Sequence, residues 1–89
     1  MKVEVDGHIY TVDWQHIRGG EKNDFNAITD CFIIDENGHY IGYDHAICSK
    51  KDNFDRSIGR KLSLARAISG LKKEQRRKFW EAYFETHNH

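Results

Sequence analysis

Proline is absent from this 89-residue chain, and so are low-complexity tracts and internal repeats. Nothing divides it, so residues 1–89 read as a single small domain. Cysteine is scarce. Cys31 and Cys48 are too far apart for a zinc motif and too few for a disulfide framework, which suits reduced thiols in a cytosol. No apolar run approaches the roughly 20 residues of a membrane-spanning helix. The opening Met1-Lys2-Val3-Glu4-Val5-Asp6 lacks the apolar stretch of a secretory signal, and the expected location is the cytoplasm. A hydrophobic content of 38% can build a modest core, while a long substrate cleft with its own walls is not expected at this size. No cofactor and no metal is expected.

Net charge is also missing, but only in the sum. Fourteen Lys and Arg balance fourteen Asp and Glu. Eleven of those basic residues lie between Lys50 and Lys78, opposed there by Asp52, Asp55 and Glu74, so this stretch carries +8. Residues 1–49 hold three basic and nine acidic residues, and residues 80–89 add Glu81 and Glu85. The molecule has two electrical ends, and segregation on this scale points to an anionic partner at the basic one.

Asp6-Gly7 and Asn37-Gly38 are hairpin-turn dipeptides, because both tolerate the positive φ of a type I′ turn. Alternating apolar and polar residues around them predict strands at about 2–6, 8–17, 27–35 and 39–48. A two-residue turn at Asn37-Gly38 sets a register in which Ile34 meets Ile41, Phe32 meets Tyr43, Asp30 meets His45 and Ile28 meets Ile47. All four pairs share one face, apolar except for Asp30 and His45. A bulged turn would shift this register by one residue.

Asp52, with Asp55 three residues on, predicts a helix start, and Gly70 a helix end. At 100° per residue Phe54, Ile58, Leu62, Ala65 and Ile68 form the line that should face the sheet, with Arg56, Arg60, Ser63 and Arg66 opposite. A second helix at about 72–86 is anchored by Phe79, Trp80, Tyr83 and Phe84. The expected fold is α+β, a four-stranded antiparallel sheet of two hairpins followed by two helices on one face, in the order ββββαα.

The second helix is charged against its own dipole. Lys72, Lys73, Arg76, Arg77 and Lys78 crowd its start, while Glu81 and Glu85 lie near its end. Each misplaced exposed charge costs about 0.3–1 kcal/mol, an arrangement poor for stability and good for holding an anion. Arg56, Arg60 and Arg66 on the first helix add to it, so the two helices are expected to present Arg56, Arg60, Arg66, Lys72, Lys73, Arg76 and Arg77 on one surface. Gly59 inside the first helix costs about 1 kcal/mol relative to alanine. Two explanations stay open: a phosphate approaching beside the Arg row, or a tight contact within the protein.

Asp30 with His45 is the enzyme-like pair, since a carboxylate can fix an imidazole tautomer and raise its basicity. Asp44-His45 at a strand end followed by Asn53 before a helix resembles the ββα nuclease arrangement, although no histidine follows in the helix to complete a metal site. Neither cysteine has an activating neighbour. His87 and His89 close the chain as a candidate for adventitious metal capture. Trp14, Phe79, Trp80 and Phe84 suit a core better than a base-stacking platform.

The stretch Cys48-Ser49-Lys50-Lys51-Asp52-Asn53-Phe54, followed by Ile58-Gly59-Arg60-Lys61, Leu64-Ala65-Arg66-Ala67 and Phe79-Trp80-Glu81-Ala82-Tyr83, resembles a pattern in small phage and prophage proteins. It covers residues 48–83. Such proteins include anti-defence factors, among them anti-CRISPR inhibitors that bind a host nuclease complex without catalysis. The resemblance implies a class of role and transfers no catalytic residue. Many anti-CRISPRs are strongly acidic DNA mimics, whereas this chain is neutral overall.

The leading expectation is a non-enzymatic phage or mobile-element protein. It would bind a host protein or ribonucleoprotein complex, or nucleic acid directly, through the basic helical surface. The alternatives are a stand-alone DNA- or RNA-binding accessory protein and a small metal-dependent nuclease using Asp30, His45 and Asn53.

Overall fold

A computed structural model, described over residues 1–87, has the order β1 (Lys2–Val5), β2 (His8–Arg18), β3 (Phe25–Ile34), β4 (Tyr40–Ser49), α1 (Arg56–Ala67) and α2 (Lys73–His87). The strands form one antiparallel sheet in chain order, and both helices pack on the same face of it. This is the α+β, ββββαα arrangement. Among the described residues no helix is long and apolar enough to cross a membrane.

Asp6 and Gly7 both take positive φ, 52° and 81°, the type I′ geometry their side chains permit. The second turn is longer than expected. The Asp35 amide donates to the His39 carbonyl and the Gly38 amide to the Asp35 carbonyl, and Gly38 takes positive φ in this turn. The Asp35 carboxylate accepts from the His39 and Asn37 amides, His39 contributing most, and these donors hold its pKa below the ordinary value. The longer loop pairs Ile34 with Tyr40 instead of Ile41. An irregularity between Ile33 and Ile34 then restores the register, so Phe32 faces Tyr43, Asp30 faces His45 and Ile28 faces Ile47 as the alternation requires.

The helices cover the other face of this hairpin. Ala27, Thr29, Cys31 and Ile33 of β3 are buried beneath them, together with Val3, Val5 and Val12. Leu64 and Ile68 of α1 and Phe79 and Tyr83 of α2 complete the core. Burying side chains of this size contributes about 1.5–3 kcal/mol each. Tyr10 meets Phe79, and Trp14 meets Tyr83 farther along β2. On α1, Gly59 lies over Thr29 and Ala67 over Gly42. The two helices therefore run antiparallel, and α2 begins at the opposite end of the sheet from α1.

Two expectations about α1 need correction. It begins at Arg56, because Asp55 rather than Asp52 is the N-cap and accepts from the Ser57 and Ile58 amides. Asp52 is engaged elsewhere, its carboxylate by the Ser49 hydroxyl and its carbonyl by the Asn26 side-chain Nδ2. The buried side of α1 agrees with expectation at Ile68 and departs from it at Ile58, Leu62 and Ala65. Ile58 is 57% exposed and Leu62 45%, while Ser63 and Leu64 are buried. The small residues Gly59, Ser63 and Ala67, four apart, bring the helix backbone down onto the sheet. The buried Ser63 hydroxyl is satisfied by the Gly59 and Arg60 carbonyls. Phe84 of α2 is likewise about half exposed, beneath the Lys61 ammonium.

Candidate functional site

Opposite charges are present in equal number, yet they do not neutralise one another locally. Among the described residues every ion pair within 4.0 Å uses a histidine: His8 with Glu36, His39 with Asp35 and His45 with Asp44. No lysine or arginine in that set reaches a carboxylate, so the cations of the helical layer keep their charge for solvent or for a partner.

Alternation along β2 puts Trp14, His16 and Arg18 on the helix-covered side. His16 Nδ1 lies 2.9 Å from the Thr29 hydroxyl, and its ring meets Phe54 edge-on at 5.5 Å. The Arg18 guanidinium carbon sits 5.0 Å above the same phenyl ring. Arg56 and Arg60, on the first turns of α1, come close enough to act on His16. Burial, then the Arg56 and Arg60 charges, hold the His16 pKa below its ordinary value. Arg60 is half-buried. Its carbonyl accepts from the Trp14 indole at 3.3 Å, and its Nε is buried without an acceptor.

The remaining expected cations lie elsewhere. Arg66 donates to the His45 carbonyl at 2.8 Å, on the outer strand β4, while the His45 amide donates to the Asp44 carboxylate. Lys72, Lys73 and Arg77 are exposed at the start of α2, Arg76 is half-buried, and the Gln75 side chain accepts from the Lys72 amide. The seven residues expected on one surface thus form two groups at opposite ends of the helical layer, with Arg66 turned to the strand edge. Antiparallel helices impose this separation. Sequence reasoning missed Arg18 and His16, and the signal for them was their spacing of two along a strand.

Gly59 has its explanation inside the protein. A Cβ there would lie 2.3 Å from Thr29 Oγ1, closer than any side chain can sit. Beside this contact, Ala27, Ala46, Phe54, Ile58 and Leu62 line an apolar cleft of about 350 Å³.

Asp30 and His45 do face each other, on the side of the sheet that carries no helix. Asp30 is bonded to a different group, however. Its carboxylate accepts from the Tyr43 hydroxyl at 2.8 Å and thereby raises the Tyr43 pKa, whereas His45 Nδ1 approaches Asp44 at 3.6 Å. Asn53 lines the cleft on the opposite, helix-covered side. The three residues of the nuclease alternative are therefore not brought together, and among the described residues no group of three His, Cys, Asp or Glu could hold a metal ion. His87 closes α2 with its ring against Trp14 and Tyr83, and His89 lies outside the described residues.

The uncovered face carries two apolar groups, separated by the polar row Gln15, Asp30 and His45. Phe32 packs against Tyr40 and Tyr43, and Tyr40 is 70% exposed. Ile17, Ile28 and Ile47 align across β2, β3 and β4. The aromatic side chains best placed to meet another molecule are thus on the sheet, not on the helices.

Burial first, and then Asp13, push the Cys31 thiol up to about 12, while Cys48 is only half-buried. A disulfide-exchange reagent at about pH 8 is expected to titrate one fast thiol per native chain and two in denaturant, because the thiolate is the reactive species. Two fast thiols in the native protein would place Cys31 outside the core.

Comparison of the chain with protein-family models, with curated proteins and with solved structures finds no match in any of the three.

Proposed function

We propose that this chain is a non-enzymatic binding protein that docks its helical layer on nucleic acid or on a nucleic-acid-loaded host complex. In its most concrete form it is a phage or mobile-element inhibitor of a host defence nuclease, of the anti-CRISPR kind, acting in the bacterial cytoplasm. Arg56, Arg60, Lys72, Lys73, Arg76 and Arg77 supply the binding charge, with Arg66 at the margin. The observation that carries this reading is the lack of internal neutralisation: among the described residues, every ion pair within 4.0 Å is made by a histidine and none by lysine or arginine. A protein that used these cations for its own stability would pair them. This one also crowds them at the start of α2, where the dipole opposes them.

Two measurements separate the versions. Fluorescence anisotropy with duplex and single-stranded oligonucleotides tests naked nucleic acid. If about six phosphates are neutralised, affinity falls about a thousandfold between about 50 and about 200 mM salt. Strong, salt-sensitive binding there makes the protein a stand-alone nucleic-acid-binding accessory. Weak binding to oligonucleotides with a stable complex on a purified, nucleic-acid-loaded host effector makes it an inhibitor. Failure to bind either at low salt overturns the proposal.

A further inference from the structure

We propose that Arg18, Arg56 and Arg60, gathered around the His16–Phe54 pair, form a seat for a phosphate group. This deepens the reading above, since it names the cations that take the partner's phosphate and adds one from the sheet.

The argument is geometric and chemical. β2 contributes Arg18 and His16, the segment before α1 contributes Phe54, and the first two turns of α1 contribute Arg56 and Arg60. Phe54 is the common floor, with the Arg18 guanidinium on its face and the His16 ring at its edge. Arg56 and Arg60 are close enough to His16 to oppose a further positive charge there. None of these guanidinium groups lies within 4.0 Å of a carboxylate among the described residues, and the neighbouring Asp55 is spent on the Ser57 and Ile58 amides, so an anion entering beside them meets charge that the protein does not itself neutralise. Arg60 also holds a buried Nε–H without an acceptor, a donor that an arriving oxyanion can engage through a small side-chain shift.

Phosphate fits this group better than a carboxylate does. A guanidinium presents paired N–H donors, so several together call for more acceptor oxygens than a carboxylate's two. Inorganic phosphate and a phosphomonoester, such as the terminal phosphate of a nucleic acid, offer three or four with a charge near −2, whereas a backbone diester offers two unesterified oxygens and a single charge. The groups acting on His16 are Thr29 from β3, Phe54 from the segment before α1, and Arg56 and Arg60 from α1, while Arg18 of its own strand lies over the Phe54 ring. Its Nδ1 is engaged by Thr29, which leaves Nε2 as the second ring nitrogen.

His16 is therefore a built-in reporter. NMR of its ring is followed as inorganic phosphate is added in a phosphate-free buffer, with sodium chloride at matched ionic strength as the control for screening. The expected result is a saturable shift at His16 and at the Arg side-chain N–H signals, with the His16 pKa rising beyond the chloride control. Arg18→Gln and Arg56→Gln replace exposed side chains, so the fold should survive them, and each should weaken phosphate binding at least tenfold. A His16 signal that follows only ionic strength, or a phosphate shift that persists in both variants, overturns the proposal.

A short single-stranded oligonucleotide distinguishes the source of the phosphate. If it binds much more tightly than inorganic phosphate and loses affinity in Arg18→Gln, the seat holds a nucleic-acid backbone. If the seat takes inorganic phosphate but neither the oligonucleotide nor the loaded host effector binds, the seat stands for a small phosphorylated molecule and the broader functional reading fails. If Arg18→Gln and Arg56→Gln bind both macromolecular partners like the native protein, while charge reversal on α2 abolishes binding, the seat is overturned and the broader reading stands.

Discussion

Replacing Gly59 with alanine is expected to lower stability by about 2 kcal/mol, although alanine is the better helix former by about 1 kcal/mol. The new methyl group would lie 2.3 Å from Thr29 Oγ1 and 3.1 Å from Thr29 Cβ. Thr29 is 1% exposed, branched at Cβ and engaged through its hydroxyl with His16, so it cannot turn away cheaply. Overfilling a packed interior typically costs about 1–3 kcal/mol, and here a hydrogen bond is disturbed as well. Thermal and urea unfolding would read the loss, with the melting temperature falling by roughly 10 °C for a domain of this size. Thr29→Ala in the same chain should recover most of it, because the atom in collision is then gone. A Gly59→Ala protein as stable as the native one would show that α1 does not rest on β3 at this point.

Reversing two charges on α2, Lys73→Glu with Arg77→Glu, is expected to move stability and binding in opposite directions. Both side chains are exposed, and acidic groups near a helix start are favoured by the dipole. The double variant should therefore gain about 0.5–1 kcal/mol at low salt. Each reversal also removes a potential phosphate contact and adds a repulsion. Affinity for the anionic partner should then fall a hundredfold or more, and the dependence of log affinity on log salt should flatten by about two. Unfolding curves and anisotropy on one preparation measure both. A stabilised variant that still binds with native affinity would remove α2 from the interface.

How much of this was legible in the sequence depended on which physical term decided each point. The Asp6-Gly7 turn was legible because backbone sterics alone select such residues. The pairing of Phe32 with Tyr43 and of Asp30 with His45 was legible because strand alternation fixes the face. Ile34 against Ile41 failed because Asp35 builds a longer, side-chain-bonded turn that no hydropathy pattern records. The orientation of α1 was right at Ile68 but failed along its first turns for a related reason. Periodicity weighs greasy side chains, so it turned Ile58 and Leu62 inward, whereas close approach to the sheet is won by Gly59, Ser63 and Ala67, which weigh little on such a scale. The charge imbalance was plain in the composition, but its spatial division was not. Arg18 and His16 meet Phe54 across the sheet–helix interface, and the antiparallel course of the helices carries Lys72 and Lys73 to the far end.

The Arg66 guanidinium on the His45 carbonyl has a consequence for how loss of function should be interpreted. With the His45 amide taken by Asp44, His45 in the middle of the outermost strand offers neither a donor nor an acceptor to another chain. Arg66 thus acts as a gatekeeper against intermolecular strand addition, which the adjoining tyrosines and isoleucines would otherwise favour. Truncating it exposes a sticky ribbon, and a preparation that has lost activity through that change can be aggregated rather than defective in recognition.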